Sequence, residues 1–171
     1  MTMTQTTPSS PPSLFPAITG RLVPTILLAG ILADVTWEVW ARGITPFLVG
    51  GPLEPAALVQ SVFGFQSWVA GELIHAITGI VFYPIGYLFI ARPLQRAILP
   101  KLPLVLTGTG FGIGLWIFAL YIMAHLIAGL PAFLGFIPLT WASLAGHILF
   151  GLVVAFVVRF RESQTAESQM R

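Results

Sequence analysis

Four long apolar runs dominate the chain, and polar residues lie mainly between these runs and at the two ends. Each run is close to the ~20 residues that a helix needs to cross ~30 Å of hydrocarbon. We predict an all-α fold, an integral membrane four-helix bundle formed by a single domain over residues 21–160. The predicted membrane-spanning helices cover about 22–42, 69–91, 105–129 and 140–159.

The segments outside these runs have their own patterns. Residues 1–20 are uncharged and rich in Thr, Ser and Pro, which predicts a disordered N-terminal tail. Residues 161–171 predict a polar C-terminal tail. After a Pro/Gly break near residue 46, apolar residues fall on one face of the stretch about 55–64, which predicts a short interfacial helix. Residues 130–139 predict an apolar Pro/Gly turn.

Positive charges and tryptophans predict the orientation. If both termini are cytoplasmic, seven of the eight Lys and Arg residues face the cytoplasm, including those of a predicted basic loop over 92–104. Arg42 alone then lies outside. Three tryptophans mark the outer interface as an aromatic belt: Trp40, Trp68 and Trp141. We therefore expect a multi-pass protein with cytoplasmic N- and C-termini.

Composition narrows the possible partners. Hydrophobic residues make up 56% of the chain and charged residues 8%, whereas soluble domains carry roughly 25% charged residues. The lipid bilayer is therefore an expected partner. A net charge of +2 is too small to argue for nucleic acid. The absence of cysteine excludes disulfides, thiolate metal ligands and cysteine nucleophiles.

Six ionisable side chains fall in one slab of the predicted bundle. At ~1.5 Å per helical residue, they lie roughly 5–12 Å below the outer surface. The six come from all four predicted helices: Asp34, Glu38, Glu72, His75, His125 and His147. Each histidine is followed by a glycine four residues later, and small residues mark faces where membrane helices approach closely. We expect the histidines to point into the bundle.

The first candidate chemistry is a metal or haem site. Glu72 and His75 have the Glu-x-x-His spacing that offers two ligands from one helix to a metal in a bundle core. Imidazole and carboxylate ligands suit iron, copper, zinc or manganese. The candidate metal ligands are Glu72, His75, His125, His147, Asp34 and Glu38. Alternatively, His75 with His147, or His125 with His147, could be the axial ligands of haem b.

Two other interpretations stay open. Asp34, Glu38 and Arg42 are spaced i, i+4 and i+8, so they could pair with one another and stabilise a structural or assembly subunit. That subunit would act in a homo-oligomer or a larger membrane complex. Chains of Asp, Glu and His also serve proton or ion transport, although the inner halves of the predicted helices contain no such residue. Ser143 and His147 do not form a nucleophile elbow, which favours a protein without catalytic activity.

The chain also resembles a bacterial family over about residues 22–158. The segments that carry the resemblance are GPLEPAALVQSVFG, ELIHAITGIVFYPIGYLF and LAGHILFGLVVAF. Within them, the principal matches are His75 with Gly79, and Gly146, His147 and Gly151. The family is an uncharacterised group of small four-helix inner-membrane proteins, a domain of unknown function. The resemblance implies a four-helix fold and a bacterial inner-membrane location, and it implies no activity.

Overall fold

The computed structural model describes residues 14–169, and these residues form helices and no strand. The all-α prediction is confirmed for this part of the chain. Four helices are long and apolar enough to cross a membrane, as expected of a multi-pass membrane protein. The helices are α1 Leu22–Val49, the short α2 Pro55–Phe63, α3 Trp68–Ile98, α4 Leu104–Ile127 and α5 Pro138–Gln169. Residues 1–13 of the predicted tail lie outside the described residues.

Helix α1 does not end at about residue 42 but passes through Pro46. A π-helical segment, Val39–Ile44, precedes this proline, and the N–H of Thr45 binds the carbonyl of Trp40 five residues back. Pro46 therefore enters the first turn of a new α segment, where its missing N–H is tolerated. The helix ends only at Gly50, whose φ of 81° is left-handed.

Helix α3 passes a proline in the same way. The π-helical segment Tyr87–Ala91 precedes Pro93, and the N–H of Arg92 binds the carbonyl of Tyr87. The basic loop predicted over 92–104 is therefore mostly helix, and only residues 99–103 connect α3 to α4. Helix α5 is also longer than predicted, since it continues through Gln169 into the predicted polar tail.

Helices α1 and α5 form the central pair of the bundle, with α3 packed on α1 and α4 packed on α5. Glycines allow the backbones to meet. An ideal Cβ on Gly30 of α1 would lie 2.0 Å from the carbonyl oxygen of Ile80 in α3. A Cβ on Gly112 of α4 would lie 2.3 Å from the carbonyl oxygen of His147 in α5. Close backbone approach at small residues is how apolar helices associate in lipid.

Side chains also join the ends of α5 to its neighbours. The indole Nε1–H of Trp40 donates to the carbonyl of Ala142, 2.8 Å away, at the start of α5. At the opposite end of the bundle, the Arg92 guanidinium donates to both carboxylate oxygens of Glu162. These contacts place the end of α1 beside the start of α5, and the end of α3 beside the far end of α5.

The connection between α4 and α5 is a left-handed turn. Phe133 and Leu134 have φ angles of 49° and 53°, which cost about 1–2 kcal/mol per residue for L-amino acids. Stacking and hydrogen bonding hold the turn. The Phe133 ring packs 4.6 Å from the Trp116 ring, and its carbonyl accepts a 2.7 Å hydrogen bond from the Thr140 hydroxyl.

Candidate functional site

A cavity of about 880 Å³ lies between α3 and α4. Its floor includes Trp37 of α1 with Ser143 and His147 of α5. Helix α2 contacts both α3 and α4 and forms a roof over one end. Beyond the other end, the rings of Tyr87 and Phe111 pack 5.2 Å apart across the two helices. The cavity is therefore bounded at both ends and on the side of the central helices.

The gap exists because α3 and α4 pack on different partners rather than on each other. Both helices are π-helical where they border the cavity, over Thr78–Phe82 and Phe118–Ile127. Extra residues in such turns commonly occur at functional sites. The flank facing away from α1 and α5 is bordered by Phe82 and Phe118, which are 62% and 39% exposed. We call this side of the cavity the open flank.

His147 has a defined tautomer. Its Nδ1 lies 2.8 Å from the backbone carbonyl oxygen of Ser143, one turn earlier in α5, and 3.3 Å from the hydroxyl oxygen of the same residue, so the carbonyl is the nearer partner. A carbonyl can only accept, so Nδ1 carries the proton and donates. In the neutral imidazole, Nε2 is then a hydrogen-bond acceptor. The residue is only 8% exposed, lines the cavity, and has no partner for Nε2 among the described residues.

His75 lies near His147 around a shared indole. The ring centroid of Trp37 is 4.7 Å from that of His147, in an edge-on arrangement, and 5.9 Å from that of His75. His75 also lines the cavity, and within residues 14–169 its imidazole has no hydrogen-bond partner. The fold thus brings together two of the three predicted histidines.

The carboxylates of Glu38 and Glu72 pair with Arg42, away from the cavity lining. The Arg42 Nε lies 2.5 Å from a carboxylate oxygen of Glu38, and its Nη2 lies 2.6 Å from one of Glu72. We call these three residues the Arg42 clamp. A single positive charge thus bridges two carboxylates and ties α1 to α3, and none of the three residues lines the cavity. The predicted pairing of Glu38 with Arg42 is present, with Glu72 as an additional partner.

Asp34 and His125 also lie apart from the cavity lining. The Oδ1 atom of Asp34 is buried without a hydrogen-bond partner, and a Cβ on Gly79 would lie 2.8 Å from it. The Nδ1 of His125 lies 2.8 Å from the carbonyl oxygen of Leu130, beyond the end of α4. Gly129 has a φ of 72° and an open surrounding, so it ends the helix instead of packing against another. The His-x-x-x-Gly pattern therefore marks helix packing at Gly79 and Gly151 but not at Gly129.

The six predicted metal ligands are thus distributed over separate places. Across the described part of the chain, no group of three or more His, Asp or Glu residues could hold a metal ion. The physical reason is that Arg42 already binds two carboxylates, while His125 caps the end of α4. The metal prediction finds no support in this arrangement.

Trp37 is the site residue that the sequence interpretation missed. It is 5% exposed and contacts both cavity histidines. A Cβ on Gly146 would lie 2.8 Å from its ring, so this glycine makes room for the indole. The available signals were a tryptophan between two acids of one helix and a glycine directly before His147.

No family model, curated protein or solved structure matches the chain. The function must therefore be inferred from geometry. The relevant features are a largely apolar cavity, two imidazole rings that line it, and a flank open to the surroundings of the bundle.

Proposed function

We propose that this protein binds a lipid-soluble small molecule in the cavity between α3 and α4. One observation carries the proposal: His147 is almost fully buried at the base of a largely apolar cavity, with its Nε2 unpaired among the described residues. Apolar cavities with a few placed polar groups are the usual form of small-molecule sites. The indole Nε1–H of Trp37, which also lines the cavity, is buried without a hydrogen-bond partner. Such a buried polar group calls for an explanation, and a bound ligand supplies one.

The open flank supports entry from the membrane. The residues that border it, Phe82 and Phe118, are aromatic and exposed, and they offer no hydrogen bond that would favour an aqueous path. Helix α2 covers the end that water would otherwise reach, with Leu58 and Val62 among its cavity-facing residues. A ligand that is already dissolved in hydrocarbon would therefore have the most direct route.

The proposed location is the bacterial inner membrane, with both termini in the cytoplasm. Seven of eight basic residues on one side, and the resemblance to a bacterial family, support this orientation. Fusions at the C-terminus test it. A green fluorescent reporter should be bright, whereas alkaline phosphatase should be inactive. The opposite pattern would reverse the orientation and place the roof helix α2 on the cytoplasmic side.

The ligand itself is the test of the proposed function. We expect protein purified in mild detergent to retain a lipid-soluble compound at close to one equivalent, detected by native mass spectrometry and solvent extraction. Ala119→Trp places an indole in the cavity and should abolish retention. Ile122→Trp, on the exposed face of the same helix, is the matched control and should retain the compound.

Other outcomes would favour the alternative functions. A Soret band that is lost in both His75→Leu and His147→Leu would favour haem b held by these histidines. Purified protein that carries a stoichiometric transition metal would favour a metal-binding subunit. Folded protein that carries no ligand and co-purifies with other membrane proteins would favour a structural or assembly subunit. Proton flux in liposomes that Glu72→Gln abolishes would favour transport.

A further inference from the structure

We infer that the ligand of this cavity is a neutral lipid whose head group carries a hydrogen-bond-donating hydroxyl. The inference rests on the proposed function and specifies the chemical class of the ligand. It follows from the tautomer of His147, from the charges around the cavity and from its open flank.

His147 is the reason that the ligand should carry a hydrogen-bond donor. Its Nδ1–H is committed to the carbonyl of Ser143 at 2.8 Å, so Nε2 presents a lone pair. The imidazole stays neutral because no described carboxylate pairs with it and an unpaired buried cation is costly. An ether or ester oxygen can only accept and would leave Nε2 unsatisfied. A hydroxyl can donate to this nitrogen.

The charges around the cavity argue against an anionic head group. Among the described residues that line it, Glu54 is the only charged one, and a carboxylate repels phosphate. Arg42 binds Glu38 and Glu72 and does not line the cavity. A phosphate would therefore lose its hydration without gaining a cation, which is strongly unfavourable. Neutral head groups avoid this cost.

The shape of the cavity fits a head group with a long apolar chain. About 880 Å³ is enclosed between two helices, a roof and a floor, and one flank is open between Phe82 and Phe118. His147 and Ser143 at the floor are only 8% and 5% exposed, whereas Phe82 and Phe118 at the flank are exposed. A lipid alcohol can place its hydroxyl at the floor while its chain leaves through the flank into the bilayer.

Three probes with one chain separate this inference from the proposed function. They are farnesol, farnesyl methyl ether, which lacks the donor, and farnesyl phosphate, which is anionic. The dissociation constant of each is measured with protein in nanodiscs. One neutral hydrogen bond corresponds to about a tenfold change in the dissociation constant, so farnesol should bind about tenfold more tightly than the ether. The phosphate should bind more weakly than the alcohol.

Variants assign the preference to His147. His147→Leu should bring the affinities for alcohol and ether to within about twofold, while His125→Leu, outside the cavity, should keep the preference. Equal affinity of the wild-type protein for alcohol and ether, or tighter phosphate binding, would overturn the inference and leave the proposed function standing. Both the inference and the proposed function would be contradicted if wild-type protein bound none of the probes and Ala119→Trp left the retention of co-purified compounds unchanged. The comparison of probes on wild-type protein holds even if His147→Leu fails to fold.

Discussion

The imidazole of His147 donates its Nδ1–H to the backbone carbonyl of Ser143, 2.8 Å away and one turn earlier in α5. The bond fixes the tautomer and the orientation of the imidazole relative to the backbone of α5. The carbonyl of His147 itself lies against Gly112 of α4. The position of the candidate ligand-binding atom is therefore determined by the packing of α4 on α5.

Replacing Gly112 by Leu should disturb this packing. A Cβ at this position would lie 2.3 Å from the carbonyl oxygen of His147, so the helices must separate. We expect a loss of about 1–3 kcal/mol in the free energy of unfolding, typical of overpacking, together with weaker ligand binding. Gly110→Leu is the control, since nothing lies within 4 Å of a Cβ there. Equal losses in both variants, measured by denaturation in mixed micelles, would contradict the close α4–α5 contact.

Trp37 should report ligand binding by its fluorescence. The chain has five tryptophans, and among the described residues that line the cavity Trp37 is the only one. A ligand that contacts the base of the cavity should change the indole environment and hence the emission. Trp37→Phe should remove this change, and Trp68→Phe, at an exposed position, should preserve it. A signal that survives in Trp37→Phe and disappears in Trp68→Phe would place the ligand elsewhere.

The Arg42 clamp should show energetic coupling between α1 and α3. Arg42 and Glu72 are 42% and 28% exposed and lie 2.6 Å apart, so their coupling should be that of a partly solvated ion pair, about 0.2–1 kcal/mol. A double-mutant cycle with Arg42→Gln and Glu72→Gln measures it. The matched cycle pairs Arg42→Gln with Glu54→Gln, and we expect these effects to add. Additive effects in both cycles would mean that the Arg42–Glu72 contact contributes no stability.

The roof over the cavity depends on a left-handed residue. Gly64 ends α2 with a φ of 73°, a conformation that costs an alanine about 1–2 kcal/mol. Gly64→Ala should therefore loosen α2, with faster amide hydrogen exchange over residues 55–63 and faster ligand release. Gly51→Ala is the control because its φ is outside the left-handed range and its surroundings are open. If amide exchange over residues 55–63 is unchanged in Gly64→Ala, then Gly64 does not hold α2 in place over the cavity.

Hydropathy was sufficient to predict the four long helices, because runs of this length and apolarity have few alternatives. The amphipathic pattern after Pro55 likewise predicted a helix where α2 lies, and its position at the membrane interface stays a prediction. The prolines were misleading at two helix ends. Pro46 and Pro93 suggest breaks, but π-helical segments before them let the helices continue. Such segments leave no simple periodic trace in the sequence.

The candidate site was predictable only in part. The spacing of Glu38 and Arg42 predicted their pairing, since both lie on one stripe of one helix. The link to Glu72 depends on which faces of α1 and α3 meet, and that is a tertiary property. The cavity was not predictable for a related reason. In an apolar helix, residues facing lipid and residues facing another helix have similar character, so a gap between α3 and α4 has no hydropathy signal.

Photocrosslinking in liposomes tests the central claim most directly. A long-chain alcohol with a photoreactive group near its hydroxyl should label cavity residues of α3, α4 and α5, such as Thr78, Ala119 and Ser143. Excess farnesol should compete with this labelling, and Ala119→Trp should abolish it, while Ile122→Trp should not. Labelling that is spread over the lipid-exposed faces, resists competition and is unchanged in Ala119→Trp would contradict a ligand site between α3 and α4.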